Sequence, residues 1–508
     1  MVLKCLDKSG FGTALLLVFI LSCGNVAVAQ SDTLSVAGRL DKEGRFAQAE
    51  EILLNYTNAH ANNLNGWWLY AQSAYWNNHF KKANAAYEKA IQLFPSNLYL
   101  QLDYANKLNE QGRFAKAAEI LDRYKKFDSK SVGFKTAMAK QELYKGNYAE
   151  AQESVNEILQ REPGNGTAKA LNNEIRNATA QWIKFSAGYQ KDDQPLQAIP
   201  AMIETGKYFN HWLAPELFAS FTRFSLSGNE KYAQTVQAAN KFLFPSLALR
   251  ATLRAGVSFS PSQVTNWTGS AELEKAICKT VALDLMASCV PYFYTISSIN
   301  QNVIPYRYKA SLSRSKNKSW SAKVNFQYDD FTNDKNYVYN INGWALTPPL
   351  SVASFALRVG YAYSFSDARN NNFTARNSLT DIEAAYETNS FIDGIYNPYF
   401  TPHRQEIHSA LASLSFLFAK KISGGVNLNY GFGKTQQPYL FLNSANNETI
   451  VDKGFSSITY HPVEINASLN CKLSDKFSSG ISYTYLHNDF YTSHYALLTF
   501  TAAIFHEK

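Results

Sequence analysis

Ile422-Ser423-Gly424-Gly425-Val426-Asn427-Leu428-Asn429-Tyr430-Gly431-Phe432 alternates between two kinds of residue. Ile422, Gly424, Val426, Leu428, Tyr430 and Phe432 fall on one side of an extended chain, and Ser423, Gly425, Asn427, Asn429 and Gly431 on the other. Successive side chains of a strand point to opposite faces, so a period of two predicts a strand with one apolar and one small polar face. The pattern recurs in both directions. Trp320, Ala322, Val324, Phe326 and Tyr328 alternate with Ser319, Ser321, Lys323, Asn325 and Gln327, and Phe477, Ser479, Ile481, Tyr483 and Tyr485 with Ser478, Gly480, Ser482 and Thr484. Further runs lie near 183–190, 250–259, 308–313, 356–365 and 463–473, and the turn-rich segments 313–318 and 329–334 read as breaks between strands.

Alternation does not say which face is wet. A soluble barrel buries its apolar face, whereas a membrane barrel turns that face to lipid. Runs of about 10 residues match a tilted membrane strand, and Tyr, Trp and Phe cluster near their ends as interfacial girdles do. The 508 residues include 31 Tyr and 33 Phe against 18% charged residues, a balance that suits contact with lipid interfaces better than a soluble enzyme. No apolar stretch after residue 30 approaches the roughly 20 residues of a membrane helix, so the chain spans a membrane as a barrel or not at all. The segment 181–508, at roughly 20 residues per strand and turn, predicts an antiparallel transmembrane β-barrel of about 16 strands. An even count returns both ends to one side of the membrane.

The N-terminus reads as an export signal covering residues 1–29. Lys4 and Lys8 precede an apolar run from Ala14 to Leu21, and Ala27-Val28-Ala29 supplies the small-x-small cleavage pattern. Ile20-Leu21-Ser22-Cys23 offers an alternative, lipidation at Cys23. Removing the signal takes away Cys5 and Cys23 and leaves Cys278, Cys289 and Cys471, which form neither a disulfide framework nor a zinc site. Cys278 and Cys289 read as two ordinary small residues, with pairing as the alternative. The formal net charge of +8, spread over this length, points to no nucleic-acid partner.

Between about 34 and 166 the sequence repeats every 34 residues. Phe46, Phe80, Phe114 and Tyr148 keep that interval, as do Ala49, Ala83, Ala117 and Ala151, and Ala37, Ala71, Ala105 and Ala139. Gly44, Asn78, Gly112 and Gly146 hold the turn position. Small residues let two helices approach, the aromatic fills the remaining gap, and Gly or Asn tolerates a left-handed turn. In the second copy Trp67 opens the first helix, Tyr87 and Ala90 lie on the second, and Pro95 ends it. Residues 167–179 read as a polar capping helix with Leu171 and Ile175 on one face.

These columns resemble the tetratricopeptide repeat (TPR) family. The resemblance implies an α-solenoid over 30–180 whose concave face docks a protein partner. A TPR stack followed by a barrel in turn resembles the exopolysaccharide export porins PgaA/BcsC and the related YaiO-type barrel family. Gly188-Tyr189 with Asp192-Asp193, and Asp393-Gly394-Ile395-Tyr396-Asn397-Pro398-Tyr399-Phe400, are similar to segments of that group. The resemblance implies outer-membrane lipid around the barrel, a periplasmic TPR domain docking protein partners, and a polysaccharide passing through the lumen. The alternative is a closed barrel that anchors a TPR scaffold for envelope assembly.

Residues 366–403 form the longest stretch without clear alternation and are expected outside the cell. Asp381, Glu383, Glu387, Asp393, Tyr396 and Tyr399 are its candidate sugar contacts, since aromatic faces and carboxylates suit carbohydrate; an ordinary rim loop is the bland reading. No cofactor is expected. His408-Ser409 and Ser493-His494 are adjacent in strands and therefore point apart, and His487 with Asp489 lacks a nucleophile, so no enzymatic activity is expected. No Gly-x-Ser-x-Gly elbow, metal-ligand cluster or phosphate loop is present.

Overall fold

A computed structural model describes residues 26–504 apart from 194–195, 227, 279, 316–318, 376–389, 420, 446–447, 475 and 489–491. The expected signal segment therefore lies outside the described residues up to residue 25. The chain divides into a helical unit and a barrel unit.

The helical unit is built from hairpins. Helices α1 (Val26–Lys42) and α2 (Phe46–Ala59), α3 (Leu64–Trp76) and α4 (Phe80–Leu93), α5 (Leu98–Glu110) and α6 (Phe114–Asp128), and α7 (Val132–Lys145) and α8 (Tyr148–Arg161) alternate along the chain, followed by α9 (Gly166–Thr179). Every second helix of a pair opens on the aromatic of the 34-residue column. Gly44, Asn78, Gly112 and Gly146 all have φ between 65° and 82°, the left-handed region that ends one helix and redirects the chain into the next. Ala37, Ala49, Ala71, Ala83, Ala105, Ala117 and Ala151 have no exposed surface. A larger side chain at any of these would force the helices apart, which accounts for the small-residue period. Asn63 and Asn97 cap α3 and α5 by accepting from Gly66 N and Leu100 N.

The barrel unit is one antiparallel meander: β1 (Gln181–Asp192), β2 (Leu196–Gly206), β3 (Pro215–Leu226), β4 (Asn229–Phe244), β5 (Leu249–Phe259), β6 (Thr265–Cys278), β7 (Val281–Cys289), β8 (Tyr306–Arg314), β9 (Ser321–Phe331), β10 (Asn336–Leu346), β11 (Leu350–Val352), β12 (Phe355–Ala368), β13 (Phe373–Ala375), β14 (Phe391–Tyr396), β15 (Gln405–Phe418), β16 (Ile422–Ala445), β17 (Glu448–Tyr460), β18 (Val463–Lys472), β19 (Phe477–His487) and β20 (Thr492–Ile504). β1 pairs with β20 from Gln181↔Ile504 to Asp192↔Ser493 and closes the ring. β11, β13, β14 and β17 lie outside that ring, which leaves the 16 strands expected. β16 belongs to the wall up to Phe432, and its remainder pairs with β14 and β17 in a small sheet beyond the rim.

Polarity is inverted relative to a soluble barrel. Val324 is 56% exposed while Asp329, on the other face of the same strand, and the lumen-facing Ser186, Ser258 and Ser409 are buried. Apolar side chains form the outer surface because hydrocarbon accepts them at no cost, and ring closure satisfies every strand edge. Among the described residues no helix is long and apolar enough to cross a membrane. Cys278 and Cys289 sit at opposite ends of the β6–β7 hairpin and are both free, so they do not pair.

Two expectations are corrected. Asp329, Asp330 and Phe331 belong to β9, and only Thr332–Asp334 form the turn. The acidic pair looked like a break, but Asp329 points inward and is held by Arg307 in the lumen. The stretch 366–403, in which no clear alternation was expected, contains the end of β12 and the short strands β13 and β14.

Candidate functional site

The register places side chains around the lumen in two dissimilar halves. From β1 to β9 the wall is charged and internally paired. Lys184 meets Glu204 at 2.9 Å, Glu216 lies between Lys241 and Arg254, Arg250 pairs with Glu274, and Arg307 grips Asp329 through two bonds of 2.7 and 2.9 Å. From β12 to β20 the wall is mostly Ser, Thr, Asn and Gly, interrupted by Ile407, Leu411, Leu486, Tyr495 and Leu497. Ser413 Oγ donates to Asn427 Oδ1 at 2.6 Å, Thr484 Oγ1 to Asn466 Oδ1 at 2.7 Å, and Ser186 and Thr499 close the seam at 3.3 Å. Within this half Arg358, Glu464 and Lys472 are the charged lumen-facing residues among those described. Short hydroxyl and amide side chains keep the wall recessed and offer exchangeable hydrogen bonds in place of tight charge pairs.

At the end of the barrel away from Gln181 and Ile504, the β7–β8 connection folds into the mouth. It carries a short helix, α10 (Ile296–Gln301), started by Thr295: Ser298 N donates to Thr295 Oγ1 at 3.0 Å and Thr295 N to Ser298 Oγ at 3.1 Å. Ile299 is fully buried among Leu196, Ala198, Phe224, Leu226 and Ala233, and Phe293 meets Phe224 edge-on at 5.5 Å. Asn266 and Asn302 exchange two amide bonds of 2.9 and 3.0 Å. The connection then meets the segment after β14: Thr295 Oγ1 donates to the Pro398 carbonyl, and Tyr292 sits edge-on to Tyr399 at 6.3 Å. A cavity of about 300 Å³ lies against the inner wall beside it, lined by Thr222, Thr235, Gln237, Thr268 and Phe293.

The sequence-predicted exit contacts separate under this geometry. Asp393 is exposed on β14 opposite Tyr439. Tyr396 is half-buried, edge-on to Phe400 at 4.9 Å. Tyr399 is corrected: it has no exposed surface, so it is a pin of the mouth and offers no face to sugar. Asp381, Glu383 and Glu387 lie outside the described residues. Sequence reasoning missed α10, although Thr295 with Ser298 three residues on is a helix-start signal, and it missed the β16–β17 extension, where Pro438 interrupts the strand pattern.

The histidine pairs stand apart as alternation requires. His408 is bonded through Nδ1 to the Tyr361 hydroxyl at 2.5 Å on the outer face, while Ser409 is buried on the inner face. His494 Nδ1 meets Tyr483 OH at 2.8 Å and His487 Nδ1 meets Thr492 Oγ1 at 2.8 Å; Asp489 lies outside the described residues. Among the described residues no three His, Cys, Asp or Glu gather as a metal site would require.

Residues 74–140 match the tetratricopeptide repeat family. No curated protein matches the chain. Among solved structures, one described as a bacterial polysaccharide outer membrane secretin aligns with 64% of this chain and 99% of its own, at 8% identity and a TM-score of 0.47. A tetratricopeptide repeat protein from Parabacteroides merdae aligns with 29% of this chain and 57% of its own, at 15% identity and a TM-score of 0.27. A thermophilic TPR protein of Thermus thermophilus aligns with 32% and 89%, at 16% identity and a TM-score of 0.27.

The TPR signature residues fall into two groups. Trp67 is half-buried against the core and donates its indole N–H to the Ala61 carbonyl at 2.8 Å; Pro95 follows the end of α4 and offers its carbonyl to Gln101 at 2.7 Å. Tyr87 is fully buried and donates to Asp103 Oδ2 at 2.7 Å, an oxygen that also accepts from Trp68 at 2.6 Å and Gln72 at 2.9 Å. One carboxylate thus ties the second TPR to the third. Burial alone would raise the Glu50 carboxyl, but hydrogen bonds from Asn77, His79 and Lys82 outweigh it and hold the group below the usual carboxylate range. Trp76 and Tyr144 are exposed at the same repeat position, with Glu110 between them, forming a column on the first helices.

Proposed function

We propose that the chain is an outer-membrane conduit for export of a surface polysaccharide, with its TPR domain in the periplasm docking protein partners. The observation that carries this is the inverted barrel whose lumen wall across β12 to β20 is dominated by Ser, Thr, Asn and Gly. A hydrated polymer slides past such a wall by exchanging weak hydrogen bonds, without the strong charge pairs that would hold it. Short connections such as Cys278–Val281 and Phe418–Ile422 sit at the end bearing Gln181 and Ile504, while the long ones sit at the other, the asymmetry of periplasmic turns and external loops. The column Trp76, Glu110, Tyr144 is the docking face this reading assigns to the TPR domain. We infer no enzymatic role: His408 and His494 are bonded to the tyrosine hydroxyls of Tyr361 and Tyr483, and His487 to Thr492.

The second reading, a closed barrel anchoring a TPR scaffold, is favoured by one observation, the β7–β8 connection packed into the mouth. Planar-bilayer conductance separates the two. The full chain is expected to give intermittent steps, and Ile299→Asp, which puts a charge in the apolar seat of α10, to give longer openings. Silence from both folded proteins sinks the conduit and leaves the scaffold.

A further inference from the structure

The β7–β8 connection not only fills the mouth but also roofs a recess in the inner wall. Val290, Pro291 and Phe293 of the connection form one side of the cavity of about 300 Å³, and β3, β4 and β6 form the other. That volume stands at the lower end of the about 300–1,000 Å³ of small-ligand pockets. The wall side is a single patch by register. Phe218 pairs with Gln237, Ser220 with Thr235 and Thr222 with Ala233, successive inward-facing pairs of β3 and β4. Gly256 of β5 lies between Gln237 and Thr268 of β6. A Cβ there would stand 2.8 Å from Gln237 Cγ, so the glycine lets Gln237 cross the strand and donate to Thr268 Oγ1 at 2.9 Å.

Hydrogen bonding gives the recess its chemistry. With Gln237 Nε2 bonded to Thr268, the Gln237 carbonyl oxygen is left to accept and the Thr268 hydroxyl to donate, and both residues are buried. Thr235 donates to Ser258 Oγ at 3.0 Å, and Ser258 onward to the Gln234 carbonyl at 3.3 Å, so Thr235 is also left to accept. The hydroxyls of Ser220 and Thr222 serve either way. Phe293 supplies an aromatic ring from the connection and Phe218 one from the wall, the latter with Arg254 5.8 Å from its centre. Donors and acceptors side by side near aromatic rings match a sugar, whose hydroxyls need both and whose C–H faces stack on such rings. We propose that this recess binds a single sugar unit and that the bound sugar holds the β7–β8 connection in the mouth. The recess exists only with the connection docked, so a ligand touching both sides binds that state better and shifts the mouth towards it. The inference rests on the conduit reading and gives it a control, closure of the mouth by saccharide.

The test uses the full chain in nanodiscs, with methyl glycosides of glucose, galactose and N-acetylglucosamine as probes and sorbitol as an open-chain control. Saturation-transfer NMR reads binding, and chymotrypsin cleavage at residues 292–294 reads docking of the connection. At least one glycoside is expected to bind and, near saturation, to slow that cleavage about threefold or more. Binding is expected to weaken about tenfold in Gln237→Leu/Thr268→Val and in Ile299→Asp, each verified as folded by heat-modifiable gel mobility. Phe293→Leu, outside the strands, takes the place of the wall variant should that one not fold. Absence of binding by all three glycosides, equal binding of sorbitol, or binding unchanged in the wall variant overturns the proposal. So does binding that survives in Ile299→Asp or leaves the cleavage rate unchanged, because the connection is then no part of the site. Conductance is read separately. A silent barrel that still binds a glycoside through these residues fails as a conduit but keeps the sugar site, whereas a conducting barrel that binds none keeps the conduit and loses the site.

Discussion

Tyr399 lies flat on Phe331, ring centroids 3.5 Å apart and planes 1° apart, and so joins the segment after β14 to the end of β9 at the barrel mouth. Asn336, itself buried, donates to the Tyr399 hydroxyl at 3.3 Å. Because Tyr399 has no exposed surface, truncating it opens a cavity rather than removing a surface contact. Tyr399→Ala is expected to cost about 3–5 kcal/mol locally and to loosen the mouth while the ring persists. Limited proteolysis of the folded protein should then cut the segments around 290–305 and 397–404 at least several-fold faster. Unchanged cleavage, with the barrel folded by gel mobility, would show that the stack does not hold the mouth.

Asp103 gathers three donors from the preceding repeat, and removing it strands the buried Tyr87 hydroxyl together with Trp68 and Gln72. Leaving buried donors unsatisfied costs about 1–3 kcal/mol each at most. Asp103→Ala is therefore expected to destabilise the helical unit by about 2–4 kcal/mol, seen as an earlier helical transition at 222 nm in the full chain. A change below about 0.5 kcal/mol would mean that water replaces the carboxylate at no cost.

Glu50 predicts a pH dependence. Its folded carboxyl titrates below its ordinary value, so its contribution to stability is present above the unfolded value and is lost as pH falls through the folded one. Helical-unit stability of the parent is expected to drop more steeply than that of Glu50→Gln as pH falls below about 4.5, the ordinary value of the carboxyl. Parallel profiles for the two proteins would remove Glu50 from the account.

Much of this architecture was legible because two periods are physically obligatory. A 34-residue return of Phe46, Phe80, Phe114 and Tyr148 can be met only by stacking like units, and the left-handed residues Gly44, Asn78, Gly112 and Gly146 mark where each unit turns. Strand alternation over 422–432 likewise fixes which side chains share a face. The mouth was not legible, because its contacts join residues more than 60 apart: Ile299 with Leu196, Tyr292 with Tyr399. No local pattern records such a meeting. Tyr399 was read as a sugar contact for the same reason, since an aromatic in a polar loop looks exposed until its partner Phe331 is placed.

Val324 and Asn325 are neighbours in β9 that face opposite media: Val324 is exposed on the outer surface, whereas Asn325 donates to Asn342 Oδ1 at 2.7 Å inside the lumen. This pair tests the inversion of the barrel with the least change of position. Val324→Arg places a guanidinium against hydrocarbon near mid-wall, at a cost of about 2–4 kcal/mol, so the urea midpoint of the barrel in lipid vesicles should fall measurably. Asn325→Arg adds the same group to a watered, charged wall that already holds Lys309 and Lys323, and should leave that midpoint within about 1 kcal/mol of the parent. In a soluble barrel the order reverses, since the apolar face would be the packed core and its neighbour the free surface. Equal tolerance at both positions would mean that neither face meets hydrocarbon, and the membrane-spanning assignment would fall with it.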